Sequence, residues 1–256
     1  MDPAKTAIQA YWDARPCGST EPPDGLRRHE FFQSHARIRY TREPEIEDFA
    51  AFAQCAGHRV LEIGVGMGAD FVRFRKAGAA AVGLDLSPRS LAKAKENANC
   101  NGVDAPLLEG DAECLPFGDS TFDLVYSWGV LHITPNTEWA FREAYRVLKP
   151  GGECRVMIYH KWSLLALQCY LVYGLGRLRP FAPLSDLIAN NIESAGTKAY
   201  SIKEARALLR MFSHVELKPV VTAYDVRLGR RAFAPRWLMR LVPKQLGWFL
   251  LIRAQK

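Results

Sequence analysis

Two carboxylates and three glycines supply the first chemistry available to this chain. In Val60-Leu-Glu62-Ile-Gly64-Val-Gly66-Met-Gly68-Ala-Asp70 an apolar run meets an acid and then glycines at alternate positions. Glycine lets the backbone turn tightly and lets a ligand approach where a Cβ would collide. Further on, Ala79-Ala-Ala-Val-Gly-Leu-Asp85 reads as a second strand that ends in a carboxylate. A strand, glycine turn, helix, strand and acid in this order is a device for holding a nucleoside. The acid at the second strand's end can accept hydrogen bonds from both ribose hydroxyls.

These residues need a parallel sheet with crossover helices to bring them together. The pattern predicts strands near 59–63, 80–84, 105–109, 121–127 and 153–159, with helices near 68–77, 88–101 and 136–147. Ser87-Pro88 suits a helix start and Asn101-Gly102 its end. Lys149-Pro-Gly-Gly152 reads as the turn into the fifth strand, and His214–Ala223 and Gly247–Ala254 as the last two strands. Ala4–Asp13 is a short helix candidate. Pro16, Gly18, Pro22, Pro23 and Gly25 mark an irregular loop, and Glu43–Cys55 has helical spacing. Trp162–Leu178 is a hydrophobic helix, short for a membrane span, which needs about 20 apolar residues.

The glycine spacing differs from the G-x-G-x-x-G of dinucleotide sites. Glu62-x-Gly64-x-Gly66-x-Gly68 resembles the first motif of class I S-adenosylmethionine (SAM) dependent methyltransferases. Three later stretches extend the resemblance: Glu109-Gly-Asp111-Ala112-Glu-Cys-Leu-Pro-Phe117, Ser120-Thr-Phe-Asp123-Leu-Val-Tyr-Ser127-Trp-Gly-Val-Leu-His132 and Val147-Leu-Lys-Pro150-Gly151-Gly152. Together they cover roughly residues 58–159, and they are closest to the small-molecule branch that includes the ubiquinone/menaquinone C-methyltransferases. The resemblance implies an α/β, Rossmann-like fold. Its seven-stranded, mostly parallel sheet runs in the order 3-2-1-4-5-7-6, with the seventh strand antiparallel.

It also implies SAM as cofactor, S-adenosylhomocysteine as product and no metal. By the same resemblance the backbone at Gly64, Gly66 and Gly68 approaches the methionine and ribose parts, and Glu62 lies near the methionyl ammonium. Glu62 is equally suited to accept from backbone N–H groups of the turn. Asp85, followed by Leu86, takes the ribose. Asp111 accepts from the adenine amino group, and Ala112 lies beside the ring. Ser127 ends the fourth strand at the cofactor. An aromatic from an N-terminal cap covers the ligand in some members of the superfamily. Tyr11, in Tyr11-Trp12-Asp13, and Tyr40, in Arg39-Tyr40-Thr41, are the candidates here. Tyr11 and Trp12 could instead pack the first helix against the sheet.

Methyl transfer from a sulfonium is an in-line displacement in which the cofactor carries the activated carbon and the leaving group. The protein aligns the partners, excludes water and, where required, removes a proton. Acceptor-side residues then lie beyond the ends of strands four and five, where Trp128, His132, Tyr159 and His160 fall. Either histidine could act as a base near neutral pH. Each also has a structural reading: His132 as a cap or cross-strand hydrogen-bond partner, and His160 as an anchor for the following helix.

At 256 residues with 48% hydrophobic and 24% charged residues, the chain can bury one full core. It reads as a single methyltransferase domain over 1–256, with a cap at 1–55, a SAM-binding core at 56–160, a substrate-covering lid at 161–212, and the last strands with a basic connection at 213–256. Six cysteines without a C-x-x-C pair disfavour zinc, and the absence of a signal-peptide pattern fits a reducing cytoplasm. The net charge of +7 is uneven: residues 160–256 hold sixteen Lys and Arg against five Asp and Glu. Arg227–Lys244 mixes arginines with Trp237, Leu238 and Leu241, which suits peripheral membrane contact, a covering loop or an anionic substrate. The acceptor is expected to be a small molecule, apolar or anionic.

Three other functions compete with this reading. An RNA or protein methyltransferase would use the basic tail, but Tyr126-Ser-Trp-Gly129 is not the Asn/Asp-Pro-Pro-Tyr motif of amino-directed enzymes, which disfavours nucleic acid. A non-catalytic SAM-binding scaffold would show damaged cofactor motifs, and these are intact. An NAD-linked oxidoreductase disagrees with the glycine spacing.

Overall fold

The computed structural model describes residues 2–16, 27–194, 196–226, 239 and 241–256. Two N-terminal helices, α1 (Pro3–Ala14) and α2 (Arg28–Arg42), precede α3 (Glu45–Ala50). The core then alternates: β1 (Arg59–Ile63), α4 (Ala69–Lys76), β2 (Ala80–Asp85), α5 (Pro88–Cys100), β3 (Leu107–Glu109), β4 (Phe122–Trp128), α6 (Thr137–Val147) and β5 (Leu148–His160). After it come α7 (Leu164–Cys169), α8 (Leu184–Asn191), β6 (Ala199–Tyr200), α9 (Ile202–Leu208), β7 (Ser213–Val220) and β8 (Phe249–Gln255).

The sheet order is β3-β2-β1-β4-β5-β8-β7, with β8 antiparallel to both neighbours and β1 to β5 parallel. This is the Rossmann-like methyltransferase arrangement expected from the sequence, plus a two-residue strand. That strand, β6, pairs with Tyr159 and His160. The chain reverses direction of winding between β1 and β4, so a crevice opens beyond their carboxyl ends. Parallel strands covered on both faces should be apolar throughout, and β4 is buried along nearly its whole length. Alternate residues serve opposite layers. Leu124, Tyr126 and Trp128 join Phe71, Phe74 and Ala94 on one side, while Leu61, Ile63 and Val125 join Phe141, Ala144 and Leu209 on the other. Each fully buried aromatic or aliphatic side chain contributes about 1.5–3 kcal/mol.

Local chemistry sets the boundaries. Ser87 Oγ accepts from the Ser90 amide at 3.1 Å with Pro88 in the first turn of α5, and Asn101-Gly102 ends that helix with Gly102 at φ +67°. Several boundaries depart from expectation, among them the last two strands, which run Ser213–Val220 and Phe249–Gln255 instead of 214–223 and 247–254. The Lys149–Gly152 turn is a bulge inside β5: the partners of Phe122 and Leu124 jump from Leu148 to Glu153. β3 begins at Leu107 instead of residue 105. The hydrophobic stretch after β5 is a helical run that passes from α7 through a π turn (Tyr170–Gly174) to a 3-10 turn (Leu175–Arg177). Most of the basic Arg227–Lys244 segment, and all but Pro16 of the proposed Pro/Gly loop, lie outside the described residues.

Candidate functional site

A cavity of about 400 Å³ opens beyond the carboxyl ends of β1, β2, β4 and β5. One wall is the glycine turn. Gly64 sits at φ +81°, and a Cβ there would lie 2.2 Å from Val130 Cγ2. Gly66 sits at φ +52°, and a Cβ there would meet no protein atom within 4 Å. The first glycine is thus required by packing, whereas the second faces open space in the cavity. Gly68 also serves packing and, against expectation, does not reach the cavity. It is absent from the lining, it begins α4 in the left-handed conformation, and a Cβ would touch Ala94 at 3.0 Å, so it seats α4 against α5.

Asp85 lines the cavity and is oriented from both sides. Its Oδ2 accepts from Gly66 N and its Oδ1 from Ser87 N, each at 2.9 Å. Burial raises the Asp85 pKa, opposed by the amides of Ser87, Gly66 and Leu86. Glu62 is buried, and its Oε2 has no hydrogen-bond partner among the described residues. Burial, followed by the nearby charge of Asp70, pushes its carboxyl well above the ordinary range. An unpaired buried carboxyl is costly, and a cation placed beside it would restore the ionised form. Leu86, Asp111 and Ala112 complete this wall.

Asp111 is already engaged. Its Oδ1 accepts from Glu113 N at 2.9 Å and its Oδ2 from Lys5 Nζ at 2.5 Å, with Lys5 also 2.6 Å from Glu113. Lys5, Gln9 and Asp13 recur every fourth residue, so they share one face of α1. Gln9 donates to the Leu86 carbonyl at 2.9 Å, and Asp13 accepts from Ser87 Oγ at 2.5 Å. These polar anchors hold α1 across the turns that end β2 and β3. They turn Ile8 and Trp12 onto the cavity. Tyr11, the aromatic singled out from sequence, is a correction: it does not line the cavity and packs edge-on against Trp12 at 5.1 Å. The i, i+4, i+8 spacing of Lys5, Gln9 and Asp13 was the available signal for this strap.

A second polar group joins the cap to the glycine helix. Asp70, in the first turn of α4, accepts from Arg39 Nη2 (2.7 Å) and Nε (3.3 Å), Tyr40 Oη (2.8 Å) and Tyr126 Oη (3.0 Å). Burial alone would raise the Asp70 pKa, but the Arg39 charge and these donors outweigh it and lower it. Arg39 lines the cavity and Tyr40 does not, so Tyr40 as an aromatic cover is also corrected.

The opposite wall is aromatic. Trp128, Tyr159, Tyr224, Trp248 and Phe249 face the cavity with Met157 and Leu165. Trp128 Nε1 donates to Glu43 Oε2 at 2.7 Å, and Tyr224 Oη donates to Glu43 Oε1 at 3.0 Å. Tyr159 stacks on Trp248 at 4.4 Å, and its hydroxyl donates to Glu193 Oε2 at 2.7 Å.

Three sequence candidates lie behind this wall. His132 is fully buried against the Tyr159 ring at 4.0 Å, with neither ring nitrogen hydrogen-bonded among the described residues. Burial, and then the charge of Lys198, lowers its pKa to about 3. His160 pairs its Nδ1 with the Gly247 carbonyl at 3.1 Å and is buried. Its pKa is lowered, chiefly by burial. Ser127 donates to the Ile63 carbonyl at 2.9 Å and ties β4 to β1. None of the three lines the cavity.

A family model described as "Methyltransferase domain" matches residues 61–156, the stretch that carries the glycine turn, Asp85 and Asp111. Over residues 61–156 the chain is thus similar to a methyltransferase domain. The chain is similar to a ubiquinone/menaquinone biosynthesis C-methyltransferase of Dinoroseobacter shibae, 35% identical over 144 residues that make up 54% of this chain and 56% of that one. It is also similar to an erythromycin 3''-O-methyltransferase of Saccharopolyspora erythraea, 45% identical over 102 residues that cover 38% of this chain and 33% of that one. The chain spans about half the length, or less, of the curated relatives it matches. A solved SAM-dependent methyltransferase from Mesorhizobium loti superposes with a TM-score of 0.57 at 19% identity, covering 83% of this chain and 97% of that one. That likeness is one of fold.

Proposed function

We propose that this chain is a SAM-dependent methyltransferase whose acceptor is a small, largely apolar molecule. The observation that carries the reading is the unfilled space over Gly66, framed by Asp85 and by the unpartnered Glu62 oxygen. These residues fit the groups of SAM one by one. Asp85, facing the cavity at the end of β2, would accept from the ribose hydroxyls. Glu62 would hold the methionyl ammonium, and Arg39 the methionyl carboxylate. Asp111 and Ala112 would take the adenine, with Lys5 sharing the Asp111 carboxylate. When bound, SAM supplies the activated methyl and a neutral thioether leaving group.

The remaining work belongs to this chain. The strap α1 and the cap residues exclude water from the nucleoside end. Trp128, Tyr159, Tyr224 and Phe249 present flat apolar faces, which favour an aromatic or otherwise planar acceptor. Residues 161–212 act as its lid through Leu165, Ile192 and Glu193, which line the cavity. Tyr159 is the acceptor-side hydroxyl that remains once His132 and His160 are set aside.

Turnover of methyl-labelled SAM against thiols, phenols, quinols and prenylated ring compounds tests this reading. Labelled product with matching S-adenosylhomocysteine from one of these classes supports it. SAM binding without transfer to any of them, together with transfer to RNA or protein, would overturn the small-molecule assignment.

A further inference from the structure

The helical run after β5 has two faces with different fates. Leu165, Ala166 and Cys169 point inward, and Leu165 reaches the cavity. Leu167, Leu171 and Leu175 recur every fourth residue and are exposed, with Val172 beside them. The run ends in a turn that lifts Leu178 and Phe181 into solvent, at 91% and 96% exposure. The turn is a built feature. Arg179 N donates to the Gly174 carbonyl at 2.8 Å, and Tyr170 Oη donates to the Pro180 carbonyl at 2.9 Å. Scattered exposed leucines are ordinary, but a contiguous apolar stripe that ends in a protruding tip marks an interaction surface.

Charge indicates what the surface meets. Lys161, Arg177 and Arg179 are the charged residues between 161 and 185, and that stretch contains no Asp or Glu. Arg177 and Arg179 flank Leu178 directly and are exposed. Arg177 lies over the Tyr173 ring at 4.8 Å, with its stem along apolar surface. Protein hot spots are anchors within well-packed, desolvated patches. Leu178 and Phe181 instead stand almost wholly in solvent at the end of the stripe. Apolar tips between arginines match the boundary between acyl chains and anionic headgroups. Among the described residues no helix is long and apolar enough to cross a membrane, so the contact is one of surface.

We propose that this face, from Leu167 to Phe181, docks on an anionic lipid bilayer. The docked face and the cavity wall are then two sides of one helix. The proposal does not depend on methyl transfer.

Co-sedimentation of the full chain with extruded vesicles tests it, using phosphatidylcholine alone and phosphatidylcholine mixed equally with phosphatidylglycerol. The expected result is binding to the anionic vesicles that weakens with salt, and little binding to the neutral ones. The double variant Leu178→Asp, Phe181→Asp should abolish it. Arg177→Gln and Arg179→Gln should each weaken it about fivefold. All four side chains are exposed, and thermal melts of the variants should match the parent. SAM titration of the same variants should also match, which separates failure of docking from failure of the cofactor reading. Absence of sedimentation with anionic vesicles would overturn the proposal. So would full binding by the double variant, which would move the contact to another surface. Loss of a self-associated species in that variant, without any vesicle binding, would assign the face to a second copy of the chain and equally overturn it.

Discussion

The nucleoside wall of the cavity is made largely from backbone turns between Glu62 and Ala112, whereas the aromatic wall gathers side chains from Glu43, Trp128, Tyr159, Glu193, Tyr224 and Phe249. On the first wall the geometry depends on a few positions where no side chain fits or where one carboxylate bridges two turns. On the second, several large rings share one surface. The nucleoside wall should therefore fail sharply at single positions. The aromatic wall should yield gradually, changing which acceptor is used before it loses turnover.

The largest expected effect is at Gly66. Gly66→Val places a β-branched side chain in the open space and at a positive φ, where strain costs about 1–3 kcal/mol. The protein should fold with a lowered Tm, and calorimetry should show SAM affinity reduced by more than about 100-fold, since the side chain occupies the ligand's volume. Gly64→Val should differ, because its Cβ collides with Val130 and folding itself should fail. Equal SAM binding by Gly66→Val and the parent would break the distinction between the two walls.

Next comes Asp85→Ala. Loss of hydrogen bonds to a charged acceptor costs about 1.5–3 kcal/mol, or roughly 10–150-fold in Kd. Circular dichroism should confirm a folded variant, because Asp85 also secures Gly66 and Ser87.

Glu62 sharpens the comparison through pH. Its folded pKa is raised above the unfolded value by burial and by Asp70. The folded state therefore holds the proton longer, and stability falls as pH rises above the unfolded value of about 4.3. Glu62→Gln should flatten the decline of Tm with pH across that window. In the parent, SAM affinity should increase with pH over the same range, because the ammonium selects the ionised carboxylate. The variant should lose this dependence. An unchanged Tm profile in the variant would show that Glu62 titrates normally.

The smallest effect is expected behind the aromatic wall. His132→Phe removes two unpartnered buried nitrogens and keeps a ring against Tyr159. The rate should stay within about threefold and the pH–rate profile should keep its shape, against the roughly 10²–10⁴-fold loss expected for a general base. A loss in that range would restore the histidine to the chemistry.

The same contrast explains what the sequence disclosed. Glu62, Gly64, Gly66 and Asp85 were legible because the turn that uses them is contiguous, and its physical demands fall on glycine and acid alone. The parallel strands followed from strand and helix alternation, and their order from the family resemblance alone. The aromatic wall was only partly legible. Trp128 and Tyr159 end strands, but Trp248 and Glu43 reach the cavity only after β8 and α2 have packed. His132 misled because Val130-Leu-His-Ile133 suits a buried ring and a cavity-facing ring alike, and only packing distinguishes them. At Arg39-Tyr40 the error was one residue, which on a helix is a rotation of about 100°. It exchanged a cavity-facing guanidinium for a hydroxyl bound to Asp70. Lys5 was missed because its signal lies only in its spacing with Gln9 and Asp13, and their partners on the turns after β2 and β3 are set by tertiary packing.

A crystal structure with S-adenosylhomocysteine tests the central claim most directly. The nucleoside wall predicts both ribose hydroxyls on the Asp85 carboxylate, the amino-acid tail between Glu62 and Arg39, and adenine beside Ala112, with the sulfur directed toward Trp128 and Tyr159. A nucleoside bound elsewhere, or one whose ribose makes no contact with Asp85, would contradict it.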